Sequence, residues 1–276
     1  MAHKRSLEAL NTTLQDIRDC PATMAGITLL LSGDFRQTLP VIPKGTRADV
    51  VRACLKCSRL WQNVTTLSPK TNIRAQLCGD QIASDFASDT LSIGNSIVQL
   101  DENGKLSLTH LCTTVSNSDE LEVHDFPNLQ RNYLDMNWIS ERAILAPKNS
   151  TVTTLNAKLL HSLPGRLHVY GSIDSVLDDD RAVNYLEVIR IPLIPSGADI
   201  PFAFRRLQFP LRLCFAMLIN KSQGQTLSVA GLHLDESCFS YGQLYLGCSR
   251  VGSKESLFVY SPRGRTKNIV YQEVLV

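Results

Sequence analysis

The sequence predicts an α/β protein drawn as two lobes, each a sheet flanked by helices, joined by an irregular acidic segment. Three observations predict it. Helix and strand patterns alternate over residues 1–75 and again over 139–276, the rhythm of a parallel sheet under helices. Between them the rhythm is lost, and residues 76–137 of that 76–138 connector hold two basic side chains against ten acidic ones. Residues 201–276 reverse the balance, with nine Lys/Arg against four Asp/Glu. Such asymmetry suits either a polyanion-facing C-terminal part or two solvated faces.

The elements follow in order. "SLEALNTTLQDIRD" spaces Leu7, Leu10, Leu14 and Ile17 as one helical face, with Ser6 as its cap. "GITLLLSGD" reads as a short buried strand, "TRADVVRACLKCSRLWQNV" as a second amphipathic helix, and "VTTLSP" as a returning strand. The acidic stretch reads as a helix or two with long loops. "RAILAPKN" is a strand, and "STVTTLNAKLLHSLPG" a helix with Val152, Leu155, Leu159 and Leu163 on one face and a Pro164-Gly165 stop. "LHVYGSIDSV" reads as a strand, and "LDDDRAVN" and "IPLIPSGADIP" as loops. A helix around "CFAMLINKSQ", a strand "LSVAGLHL", a helix around "YGQLYLGCSR" and a strand "LFVY" close the chain. No apolar run approaches the ~20 residues of a membrane span. The eight scattered cysteines read as reduced thiols of an intracellular protein.

Few stretches carry chemistry. The phosphate loop G-x-x-x-x-G-K-[ST] does not occur: the Gly104-Lys105 pair is followed by Leu106 and has Gln99 where the first glycine would stand. Asp34, at the end of an apolar run, has no second acid beside it to hold a metal. In "GDFRQ", Gln37 would set an amide at the lip of the sheet, where it either meets a terminal phosphate or attacking water or completes a polar turn. "INKSQGQTL" gathers Lys221, Ser222, Gln223, Gln225 and Thr226 around Gly224, a set of donors suited to a sugar-phosphate backbone or to a capped glycine turn. Arg250 in "YLGCSRV" is either a helix-terminal dipole partner or an arginine finger, and Arg74 in "KTNIR" carries the same two readings. Cys54 and Cys57 form one CxxC with no second pair near, so packing is their expected role.

Taken in order, "LLSGDFRQTLPVIPKGTRADVV", "LWQNVTTLSPKTNIR", "ERAILAPKNSTVTTLNAKLLHSLPG", "PFAFRRLQFPLRLCFAMLINKSQGQTL" and "FSYGQLYLGCSRV" resemble one family. It is the superfamily 1 DNA helicases of the petite-integration-frequency type, in particular the helicase portion of Helitron-like transposons. The resemblance implies two RecA-like lobes of the P-loop NTPase helicase fold, with ATP between them, Mg²⁺ as cofactor, and single-stranded DNA across both. It makes Gln37 the γ-phosphate sensor with Asp34 in support, and Arg74 and Arg250 the arginines that complete the site. Lys221, Ser222, Gln223 and Thr226 fall in its DNA-contacting loop. It implies 5′-to-3′ unwinding in recombination, repair and telomere maintenance, and a nuclear setting. Against the family pattern the chain starts past the phosphate loop and the Mg²⁺-binding acid pair, so lobe one (1–75) is expected to be its C-terminal half. The insertion near 172–200 is shortened. The expectation is a partial helicase, from a truncated gene or a decayed copy, catalytically incompetent alone. The alternative is a non-catalytic remnant that binds single-stranded DNA.

Overall fold

The computed structural model describes residues 2–69, 81–166, 173–176, 191–193, 204–208 and 214–275. Its centre is a five-stranded, all-parallel sheet. In chain order the strands and main helices are α1 (Lys4–Arg18), α2 (Arg47–Ala53), α3 (Gln81–Gly94), β1 (Lys105–Ser107), β2 (Thr113–Val115), α4 (Ser118–Asp125), α5 (Leu129–Asn132), α6 (Met136–Ser140), β3 (Arg142–Ala146) and α7 (Asn149–His161). There follow β4 (Ile173–Val176), β5 (Ile191–Leu193), β6 (Phe204–Gln208), β7 (Ala216–Leu218), β8 (Val229–His233), α8 (Gln243–Cys248), β9 (Leu257–Tyr260), β10 (Arg265–Lys267) and α9 (Gln272–Leu275). The sheet order is β2-β9-β8-β3-β7.

The central strands are continuous apolar runs because both faces are covered. On β3, Ala143 and Leu145 point into one core with Leu232, Val259 and Leu246 of α8, while Ile144 points into the other with Leu121 of α4 and Leu155 and Leu159 of α7. The edge strand β7 is clasped by the buried Asn156 of α7. Its Nδ2 donates to the Ala216 carbonyl at 2.7 Å, and its Oδ1 accepts from the Phe215 and Ala216 amides at 2.7 and 2.9 Å.

Several elements differ from expectation. The apolar run at 27–34 enters no ladder with a described residue, and Leu30 is 87% exposed. A strand is stabilised by the partner that takes its amides and carbonyls; without one the run stays irregular, as does 64–69. Helix α1 starts at Lys4, capped by the His3 ring rather than Ser6, and buries Leu7 and Asn11 while Leu10 and Ile17 face solvent. Helix α2 has the Thr46/Asp49 capping box but stops at Ala53, where Cys54 turns to ψ 147°, and two short 3₁₀ turns replace the rest. The Thr46 hydrogen bonds hold the Asp49 carboxyl below its usual range.

The acidic stretch carries more regular structure than its composition suggests. It contributes α3, the edge strand β2 and α4, which packs on the sheet. "CFAMLI" forms β7 and a 3₁₀ turn, Ile219–Ser222, not a helix; a short apolar run fits either state, and the Asn156 clasp and pairing with β3 decide it. "FRRLQ" pairs with β4 on one side and with "IPL", expected as loop, on the other, in an antiparallel sheet of order β4-β6-β5. Among the described residues no helix is long and apolar enough to cross a membrane.

Candidate functional site

Asp34 to Gln37 form a tight turn, closed by the Gln37 amide on the Asp34 carbonyl at 3.1 Å. Asp34 Oδ1 accepts from the Arg36 amide at 3.0 Å and lies 3.4 Å from the Arg36 Nη1. Its Oδ2 accepts from the Tyr245 hydroxyl at 2.7 Å. The Tyr241 hydroxyl donates to the Phe35 carbonyl at 2.8 Å, and Arg36 Nε to Asn95 Oδ1 at 2.7 Å. The turn is thus pressed against α8 and the end of α3. Two glycines allow this approach: a Cβ on Gly242, whose φ is +67°, would lie 2.3 Å from the Arg36 carbonyl oxygen, and one on Gly94 would lie 2.8 Å from both Arg36 and Tyr245. Burial, then the nearby Asp34 charge, raises the Tyr245 hydroxyl above its ordinary pKa; burial does the same first for Tyr241. Both stay protonated and serve as donors at neutral pH. Gln37 is half-buried, and its side chain makes no hydrogen bond to a described residue.

The donor loop lies at the end of β7. Lys221, Gln223, Gln225 and Thr226 are exposed, and Gly224 takes the turn at φ +82°. Ser222 differs from its neighbours: it is fully buried, and its hydroxyl donates to the Ile219 carbonyl at 2.7 Å. Arg250 braces the loop from inside. It is 2% exposed, and its Nη1 donates to the carbonyls of Ser222 and Gln225 at 3.0 and 2.8 Å, its Nε to Leu246 at 2.9 Å and its Nη2 to Ser249 Oγ at 2.8 Å. At the other end of α8 the buried Gln243 accepts from the Phe239 and Ser240 amides and donates to Asn220 Oδ1 at 3.3 Å. The stretch of α8 and the turn after it therefore touches both places: Tyr245 holds the Asp34–Gln37 turn, Gln243 meets Asn220 just before the loop, and Arg250 holds the loop.

Of the residues singled out from the sequence, the structure links the Asp34–Gln37 turn to Arg250 and the 221–226 loop through α8 and the turn after it. Arg74 lies outside the described residues. Asp34 offers no open carboxylate for a metal, since Arg36 and Tyr245 take its two oxygens, and among the described residues no three His, Cys, Asp or Glu converge. Cys54 is buried, with its thiol pKa raised by that burial, while Cys57 is exposed. Sequence reasoning passed over Arg36, Asn95, Tyr241, Gln243 and Tyr245. The signal available was two tyrosines and a glutamine in a stretch otherwise apolar, where each polar end needs a partner when buried.

A family model described as PIF1-like helicase matches residues 1–105. ATP-dependent DNA helicase PIF1 of Xenopus laevis is 26% identical over 294 residues, an alignment covering 94% of this chain and 45% of that protein. The chain thus spans less than half the length of this curated relative. The crystal structure of Pif1 helicase from Candida albicans matches with a TM-score of 0.65 at 20% identity, over 100% of this chain and 73% of that one. Bacteroides Pif1 bound to ssDNA matches with a TM-score of 0.56 at 17% identity, over 94% and 68%. The fold is a mixed α/β one of the RecA-like P-loop NTPase kind. The family model and the relative are both PIF1-type helicases, and neither points to a narrower group; the solved structures show the fold.

Proposed function

We propose that residues 1–276 form part of an ATP-dependent 5′-to-3′ DNA helicase, of Helitron-like kind, acting in recombination, repair or telomere maintenance in the nucleus. In this reading Lys221, Gln223 and Thr226 contact the backbone of single-stranded DNA, and Ser222 sets the loop from within. Gln37 meets the terminal phosphate of ATP, with Asp34 holding its turn. Arg74 and Arg250 would serve the same nucleotide, and Mg²⁺ would be held by acids other than those described. The observation that carries the reading is that α8 and the turn after it hold both the exposed donor loop, through Arg250, and the turn of Gln37, through Tyr245. The two RecA-like lobes divide, in this reading, at the 76–138 segment.

These 276 residues contain no G-x-x-x-x-G-K-[ST] loop to hold the β- and γ-phosphates. Sensing groups cannot position a nucleotide that nothing cradles. Residues 1–276 alone are therefore expected to show no DNA-stimulated ATP hydrolysis in a phosphate-release assay. Hydrolysis by this segment, lost in Arg250→Ala, would contradict that. A second reading is a non-catalytic single-strand binder that uses the exposed donor loop and the basic C-terminal part.

A further inference from the structure

The Asp34–Gln37 turn has few ties of its own. Inside the turn Asp34 Oδ1 accepts from the Arg36 amide, and the Gln37 amide reaches back to the Asp34 carbonyl at 3.1 Å. The other carboxylate oxygen leaves the turn altogether and accepts from Tyr245, 211 residues away, at 2.7 Å. A carboxylate bonded to a buried hydroxyl is a charge-assisted contact, about twice as strong as a neutral one. The Tyr245 ring is itself fixed: it is buried in the main core and packs against Gly94, where a Cβ would lie 2.8 Å from it. Its oxygen is thus a rigid post and Asp34 the movable part. Gln37 stands three residues on and shares the turn's closing hydrogen bond, so a rotation at Asp34 carries Gln37 with it.

We propose that Tyr245 is a positioning residue for this turn, its hydroxyl holding Asp34 and thereby setting where the Gln37 amide points relative to α8. The proposal rests on the reading of Gln37 as the phosphate-facing group. Tyr241, donating to the Phe35 carbonyl, is the second post. Because Arg250, in the turn after α8 and bonded back to its Leu246 carbonyl, fixes the Ser222 and Gln225 carbonyls, the orientation of Gln37 is referred to the same stretch as the donor loop.

Amide hydrogen exchange on residues 1–276 tests this. Tyr245→Phe removes one oxygen and keeps the ring; exchange over 34–38 is expected to quicken by at least about tenfold, with β8 unchanged. Asp34→Ala, which also removes the acceptor of the Arg36 amide, should quicken it at least as much, Asp34→Asn, which keeps one of the two acceptor oxygens, should fall between the parent and Asp34→Ala, and the double variant Tyr245→Phe with Asp34→Ala should be no faster than Asp34→Ala alone. A ring that served packing alone would leave 34–38 exchange unchanged in Tyr245→Phe, which overturns the proposal, as would additive effects in the double variant. Single-strand binding by the unaltered chain is scored separately: the exchange pattern without DNA binding supports the post and overturns the motor reading.

Discussion

Replacing Arg250 with alanine is expected to destabilise the chain by about 4 kcal/mol, and to weaken whatever the 221–226 loop binds. The guanidinium is buried and donates to three backbone carbonyls, those of Leu246, Ser222 and Gln225. Hydrogen bonds from a charged group contribute about 1.5–3 kcal/mol each, and buried acceptors left without donors cost a similar amount. Some of the loss is recovered by water entering beside the exposed loop, which keeps the total below the sum. Arg250→Lys should lose roughly half as much, because an ammonium is a point donor and cannot span two carbonyls as the planar fork does. Urea midpoints of the three proteins measure this. If Arg250 served only a nucleotide, Arg250→Ala would leave the urea midpoint unmoved, and the bracing account would fail.

Asp125→Leu is expected to stabilise the chain, by about 2 kcal/mol at pH 7 and by more at pH 9. Asp125 closes α4 and is wholly buried, with neither carboxylate oxygen hydrogen-bonded in the described structure. It sits over β8, where a Cβ on Gly231 would come 3.3 Å from its carboxyl carbon and 3.2 Å from Leu121. Burial pushes its pKa up to about 8, against the pull of Arg142. A carboxylate at a helix C-terminus also meets the negative end of the dipole. The folded state therefore keeps a proton that the unfolded state releases near pH 4. Stability contributed by the protonated form is full below that point, falls as pH rises to about 8, and is flat above. Leucine has the same branched shape, so it replaces an unpaired polar group with apolar atoms at little steric cost. Urea midpoints at pH 5, 7 and 9 should show the slope in the parent and its loss in the variant. No gain at pH 9, with the slope retained, would mean that Asp125 is paired or hydrated in solution.

Much of the sheet was legible because buried parallel strands are written as apolar runs. "RAILA", "VAGLH" and "LFVY" emerge as β3, β8 and β9, and α7 starts and stops where its periodicity and Pro164-Gly165 place it. What failed was context. "ITLLL" has the same apolar signature as β3, yet a strand is a property of two segments, and the partner is not written in the run itself. "TTV" at 113–115 is polar because it lies on an edge, with only Val115 buried, so composition argued for a connector. The donor loop was legible through its density of side-chain donors around a glycine. The posts were not: Tyr241 and Tyr245 meet a turn more than 200 residues away, and no spacing rule reaches that far.

The proposed contact of the 221–226 loop with the backbone of single-stranded DNA is tested most directly by a salt titration. Fluorescence anisotropy of a labelled oligothymidine with residues 1–276 should show affinity falling linearly with the logarithm of salt, with little preference among base sequences. Lys221→Ala should weaken binding at every sequence and reduce the salt slope by about 0.7, the share of one phosphate contact on a single strand. No binding, binding indifferent to salt, or an unchanged slope in Lys221→Ala would contradict the account.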